Sequence, residues 1–285
     1  MTRGAASEWV FSDVGSGDAI VLVHGLGTDS SAWGRLAPTL AERHRVITVD
    51  LPGYSLKSEI DEVPQATQLA DELDGLLAKL GVETAVLVGH SFGGAVCLIV
   101  AHRHPTRCAG LVLIAPGGFG TELNPLIPLV GTRLGSRLLQ ALYGQRTSRT
   151  IARIAARVET SSAGDSRLRI VELMETYDRL RTEQARKQFR ASVHESLTMK
   201  SVADRVELTR IDPRIPILVL WGHDDRVLPS WQAKNATNLL PWSVAHVMDG
   251  VGHTPHRSHA LQTKNEIEAF VDSGKVRRRL SPTGS

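Results

Sequence analysis

Val88-Gly89-His90-Ser91-Phe92-Gly93-Gly94 is the stretch that decides the fold of this chain. A short apolar run, Ala85-Val86-Leu87-Val88, leads into it, and a longer one, Ala95 to Ala101, leads out. The first has the length and residue types of a buried strand, the second those of a buried helix. Gly-x-Ser-x-Gly is common by chance. Between a strand and a helix it predicts a sharp turn that aims the serine hydroxyl off the end of a sheet. Such a turn strains the serine backbone and tolerates only small neighbours, which Gly89 and Gly93 supply. Gly94 lets the helix pack closely. The N-terminus of that helix favours negative charge developing beside Ser91.

The same strand signal recurs on both sides. Ala19-Ile20-Val21-Leu22-Val23, Val46-Ile47-Thr48-Val49, Leu111-Val112-Leu113-Ile114, Ile217-Leu218-Val219-Leu220-Trp221 and Val244-Ala245-His246-Val247-Met248 all read as buried strands. Near-continuous apolar runs are what parallel strands covered on both faces require. Between them lie amphipathic segments such as Gln65 to Leu80, with Leu69, Leu73, Leu76, Leu77 and Leu80 at helical spacing and Gly81 as a stop. Strand alternating with helix predicts an α/β fold built on a doubly wound, parallel sheet. The alternation breaks between Phe119 and about Arg210, a stretch rich in Arg, Leu and Ala with no strand pattern. Residues 119–210 therefore read as a helical cap inserted into a core made of residues 1–118 and 211–285.

Composition narrows the function classes. At 285 residues, one large domain with an insertion can bury its core without disulfide or metal support. Net charge is +3, and Arg is dispersed except in Lys275-Val276-Arg277-Arg278-Arg279. That run reads as a solvated, frayed end, so a nucleic-acid partner is not expected. Cys97 and Cys108 lie in apolar surroundings with no metal-site spacing, and read as buried, reduced thiols. No apolar run approaches the length of a membrane span, and residues 1–8 lack a signal core. A cytoplasmic location is expected. No metal or cofactor is expected, the partner is a small-molecule substrate, and a homodimer is left open.

Serine is a weak nucleophile and needs a base held by a third group. Two loops after predicted strands could supply these. One is Trp221-Gly222-His223-Asp224-Asp225-Arg226-Val227-Leu228-Pro229, the other Gly250-Val251-Gly252-His253-Thr254-Pro255-His256. Both lie on the side where α/β sheets bind ligands.

Together these pieces resemble the α/β-hydrolase superfamily. They are His24-Gly25-Leu26-Gly27, Asp50-Leu51-Pro52-Gly53-Tyr54, the Ser91 turn, Gly222-His223-Asp224-Asp225 with Pro229, and Gly252-His253. The resemblance extends from about Ile20 to Val271. It implies a serine esterase or lipase-like member with a mostly parallel twisted sheet, flanking helices and a helical lid. The family pattern Gly-x-x-Asp-x-x-x-Pro aligns Gly222, Asp225 and Pro229, which makes Asp225 the triad acid and Asp224 its neighbour. Some relatives place the acid one strand earlier, where Ala115-Pro116-Gly117-Gly118 offers none. The resemblance makes His253 the base, and the backbone N–H groups of Leu26 and Phe92 the oxyanion donors. His24 is then a structural residue of its loop, and His256 and His259 are bystanders on the next helix. Ser55 stands where many relatives have glycine.

A serine at the turn points to an acyl-enzyme, unlike the relatives that form alkyl esters on an aspartate. Family C–C hydrolases of meta-cleavage products usually carry Trp after the catalytic His, where this chain has Thr254. Perhydrolases carry an aromatic at the position of Leu26. What remains is hydrolysis of a carboxylic ester, or a related lactone or thioester, of a small-to-medium apolar substrate. The alternative is a C–C bond hydrolase, or a cyclase or acyltransferase using the same triad. Leu123, Leu126, Ile127, Leu129 and Val130 are candidate pocket residues.

Overall fold

The computed structural model describes residues 9–55, 63–120, 132, 135, 183–198 and 208–280. Seven strands form one sheet: β1 (Val10–Val14), β2 (Ala19–Val23), β3 (Arg45–Asp50), β4 (Ala85–His90), β5 (Cys108–Ile114), β6 (Ile217–Gly222) and β7 (Val244–Met248). Their order is β1-β3-β2-β4-β5-β6-β7. β1 runs antiparallel to β3, and the remaining pairs are parallel. The described helices are α1 (Leu36–Leu40), α2 (Ala66–Lys79), α3 (Phe92–Arg103), α4 (Glu183–Thr198), α5 (Gln232–Leu239), α6 (Pro255–Ser258), α7 (Ala260–Val271) and α8 (Gly274–Leu280).

Side chains of a strand point alternately to opposite faces, and here each face meets helices. In β2, Val21 and Val23 join a core with Leu69, Leu73 and Leu77 of α2 and Val96 of α3. Ile20 and Leu22 join the opposite core, with Leu36 and Leu40 of α1, Ile267 and Val271 of α7 and Val276 of α8. Two-sided burial explains why β2, β4, β5 and β6 lack polar alternation. This is an α/β-hydrolase fold: a mostly parallel seven-stranded sheet between helical layers.

Several elements depart from what the sequence predicts. β1 carries no continuous apolar run because all five of its residues are exposed at the sheet edge. β7 forms the other edge, so Val244 and Val247 are exposed and only Met248 is buried. The expected buried strand there is corrected to an edge strand. β5 starts earlier than its branched residues, at Cys108, and includes Gly110, where a Cβ would press on the Phe270 ring. The basic run at 275–279 is not frayed. It forms most of α8, with Val276 in the core and Arg279 donating to the carbonyls of Cys108 and Pro105. Cys97 and Cys108 are free and buried. No described helix is long and apolar enough to cross a membrane.

Of residues 119–210, α4 is helical, and its Phe189 ring lies over Gly27. Leu123, Leu126, Ile127, Leu129 and Val130 lie outside the described residues.

Candidate active site

The site forms at the C-terminal ends of β2, β4, β6 and β7, where each parallel strand releases a loop. Ser91 follows β4 with φ 52° and ψ −117°. A non-glycine residue in that region carries strain of about 1–3 kcal/mol, and the surroundings have to hold it. They do so through the backbone. Ser91 N–H donates to the Ile114 carbonyl at 2.9 Å, and the Ser91 carbonyl accepts from Gly94 at 3.0 Å and Gly117 at 3.1 Å. A Cβ on Gly89 would lie 2.5 Å from the Gly93 oxygen, and one on Gly93 would run into the carbonyls of Val23 and His24. Only glycine fits at either position.

α3 begins immediately after Ser91, so its first N–H groups have no partner within the helix. The Phe92 ring is fixed by stacking on Tyr54 (centroids 4.1 Å apart, 15° between planes), and Tyr54 Oη donates to the Pro64 carbonyl at 3.0 Å. Across from it runs the loop after β2. His24 holds this loop: Nε2 accepts from Leu51 N–H at 2.8 Å, and Nδ1 donates to the Gly25 carbonyl at 2.8 Å. Among the described residues, neither Leu26 nor Phe92 gives its N–H to a backbone carbonyl. Ser55, also near, is buried and its N–H donates to the Leu51 carbonyl at 2.9 Å.

The two loops on the other side are joined by their backbones. His223 N–H donates to the Met248 carbonyl and Asp224 N–H to the Val251 carbonyl, both at 2.9 Å. Gly222 permits this, because a Cβ there would strike the carbonyls of Val251 and Gly252. The Asp225 side chain is fully buried. Its Oδ1 accepts from Val227 N–H at 2.7 Å and Leu228 N–H at 3.0 Å. Its Oδ2 accepts from Trp221 Nε1 at 3.1 Å and meets His253 Nδ1 at 2.7 Å. With Oδ2 accepting, His253 Nδ1 carries the proton and Nε2 is the bare nitrogen of the neutral ring. Asp224 points elsewhere. It is exposed and paired with exposed His223 at 3.0 Å, an interaction that lifts the His223 pKa.

Three residues to which the sequence reading gave no role complete the surroundings. Trp221 is the indole donor to Asp225, four residues away across the loop. His90 is buried within the turn itself, and its ring lies 4.8 Å from that of His253. His256, on the helix after His253, is buried between Trp33 and His90. A signal for Trp221 was its place at the end of a buried strand with a ring N–H that needs an acceptor. Nothing in the spacing of the sequence pointed to the row of histidines.

The sequence model of the Alpha/beta hydrolase family matches residues 20–264. An uncharacterized protein of Mycobacterium tuberculosis is 30% identical over 269 residues, covering 92% of this chain and 78% of that one. A 2-hydroxy-6-oxononadienedioate/2-hydroxy-6-oxononatrienedioate hydrolase of Paraburkholderia phymatum is 32% identical, covering 92% of this chain and 90% of its own. Among solved structures, a thermophilic esterase from Thermogutta terrifontis superposes with a TM-score of 0.71 at 24% identity, over 92% of both chains.

Proposed function

The chain belongs to the alpha/beta hydrolase family, and from that premise we propose that this hydrolase cleaves carboxylic esters through an acyl-enzyme on Ser91. Ser91 Oγ attacks the carbonyl carbon while His253 Nε2 takes its proton. Asp225 keeps the ring in the tautomer that leaves Nε2 free and stabilises the imidazolium that forms. The N–H groups of Leu26 and Phe92 hold the oxyanion, each donor of this kind being worth about 3–4 kcal/mol. The imidazolium then gives its proton to the departing alkoxide. Water, with its proton taken by His253, attacks the acyl carbon and releases the acid and free Ser91.

One observation carries this reading: a serine at φ 52° on a strand-to-helix turn, whose chain neighbour His90 lies 4.8 Å, ring to ring, from a histidine with Nδ1 bound to a buried carboxylate. A small-to-medium apolar substrate fits the apolar stretch of the insertion, Leu126-Ile127-Pro128-Leu129-Val130. Related lactones and thioesters need the same steps.

Turnover of p-nitrophenyl acetate and butyrate tests the reading. Ser91→Ala is expected to lower kcat by about 10⁴-fold or more. An enzyme that turns over no short ester and takes up no fluorophosphonate probe would sink it. A second reading, C–C bond hydrolysis, is favoured by the 32% identical hydrolase of P. phymatum. Thr254, where such enzymes usually have tryptophan, argues against it. Comparing kcat/KM for 2-hydroxy-6-oxononadienedioate with that for p-nitrophenyl butyrate separates the two.

A further inference from the structure

Behind the Ser91 turn lies a row of four rings, each tilted 46–57° to the next, that the proposed chemistry does not use. Trp33 meets His256 at 4.6 Å, His256 meets His90 at 4.4 Å, and His90 meets His253 at 4.8 Å. Trp33, His256 and His90 are buried, whereas His253 is only partly so. The row therefore runs from the core to the edge of the site and ends on His253.

His90 does more than fill space. Its Nε2 lies 3.0 Å from the main-chain carbonyl oxygen of His253. A carbonyl can only accept, so His90 Nε2 carries the proton and donates. Its Nδ1 faces the Gly25 backbone, where an added Cβ would be 2.8 Å away. That nitrogen is buried with no hydrogen-bond partner among the described residues. A bare lone pair costs less there than an unpaired N–H, which agrees with the Nε2–H tautomer. One ring thus touches the Gly25 loop, is the chain neighbour of Ser91, and ties down the backbone of His253.

We infer that His90 is a positioning residue, whose Nε2–H···O=C bond to His253 sets where the His253 imidazole stands relative to Ser91. The inference rests on the assignment of His253 as the base. Asp225 fixes the rotation of the His253 ring through Nδ1, and the bonds that tie the loop's backbone to its neighbours meet it at Val251 and Thr254, on either side of His253. The bond from His90 holds the His253 carbonyl itself, from a residue fixed at the end of β4 one position before the nucleophile. The ionisable groups that face His90 are His256, His253 and His24. Burial, then the nearness of His256 and His253, keeps His90 well below the usual histidine range. The His256 pKa is likewise pushed down to about 3 by burial, with Arg257 and His253 adding to the effect. When His253 gains its proton during turnover, no second positive ring lies against it.

Three variants with matched volumes test this. His90→Gln keeps an N–H donor within reach of the carbonyl. His90→Leu fills the space without one, and His90→Met replaces Leu should that variant not fold. For p-nitrophenyl butyrate, the apolar variant is expected to lose about 10- to 100-fold in kcat with little change in KM, as a small misplacement of a reacting group does. His90→Gln is expected to recover most of that loss. Hydrogen exchange read by mass spectrometry is expected to rise in the peptide that spans Gly252 to Thr254 in the apolar variant, and to stay near wild type in His90→Gln. Equal kcat losses in Gln and Leu, or unchanged exchange in the apolar variant, would overturn the inference. Exchange decides the positioning even if wild type proves inactive on the ester, an outcome that would count against the proposed function instead.

Discussion

At the scale of single residues, the two aspartates side by side on one loop show how position decides role. Asp224 and Asp225 are chemically identical, yet one is exposed beside His223 and the other is buried under four hydrogen bonds. The difference comes from the turn after Gly222, which sends the first side chain outward and the second under the indole of Trp221. Asp225→Asn keeps the shape but can offer its NH₂ group to His253 Nδ1, which favours the wrong tautomer. It is expected to lower kcat for p-nitrophenyl butyrate by about 10³- to 10⁴-fold. Asp224→Asn is expected to leave kcat within about 3-fold, as exposed substitutions away from reacting groups usually do. Comparable losses in both would mean that the carboxylate at Asp225 has no special part.

At the scale of elements, legibility followed burial. β2, β4 and β6 were readable because strands covered on both faces must be apolar throughout. α2 was readable for the opposite reason: it is covered on one side only, so Leu69, Leu73 and Leu77 stand out against polar neighbours. The edge strands fell outside both patterns. β1 mixes Ser12 and Asp13 with exposed apolar residues, and β7 has a core-like composition with almost no burial, since a sequence does not record which strand ends a sheet. α8 was misread because its arginines resemble a solvated tail, while Arg279 reaches back to carbonyls near β5, over 170 residues earlier in the chain. The site was legible where its geometry is local, in the glycines around Ser91. It was illegible where it depends on rings that meet only through the fold, as His90, His256 and Trp33 do.

At the scale of the whole molecule, the buried histidines bear on acid stability. His90 and His256 are neutral in the folded protein, held down chiefly by burial, and His44 is shifted the same way for the same first reason. In the unfolded chain such groups take up protons below about pH 6.5. The unfolded state therefore binds more protons than the native state, and stability falls as pH falls from about 6.5 toward the depressed native values. Each such histidine contributes a slope of about 1.4 kcal/mol per pH unit across that window. Asp71, Asp212 and Asp272, lowered mainly by hydrogen bonds to Arg103, Arg214 and Arg277, add their losses only at lower pH. Urea unfolding from pH 6.5 to 4.5 is expected to show a steep decline that His256→Gln makes shallower by about one proton. An unchanged slope in that variant would mean that His256 is protonated in the native state after all.

The proposed chemistry centres on a strained serine, held by backbone bonds at the C-terminal end of the central strand β4, with His253 of another loop as its proposed base. Peptide mapping after reaction with a fluorophosphonate tests that most directly. A single phosphonyl group on Ser91 is expected, with ester turnover lost in step with its appearance. Turnover that survives full modification of Ser91, or an active enzyme whose Ser91 remains unmodified, would contradict it.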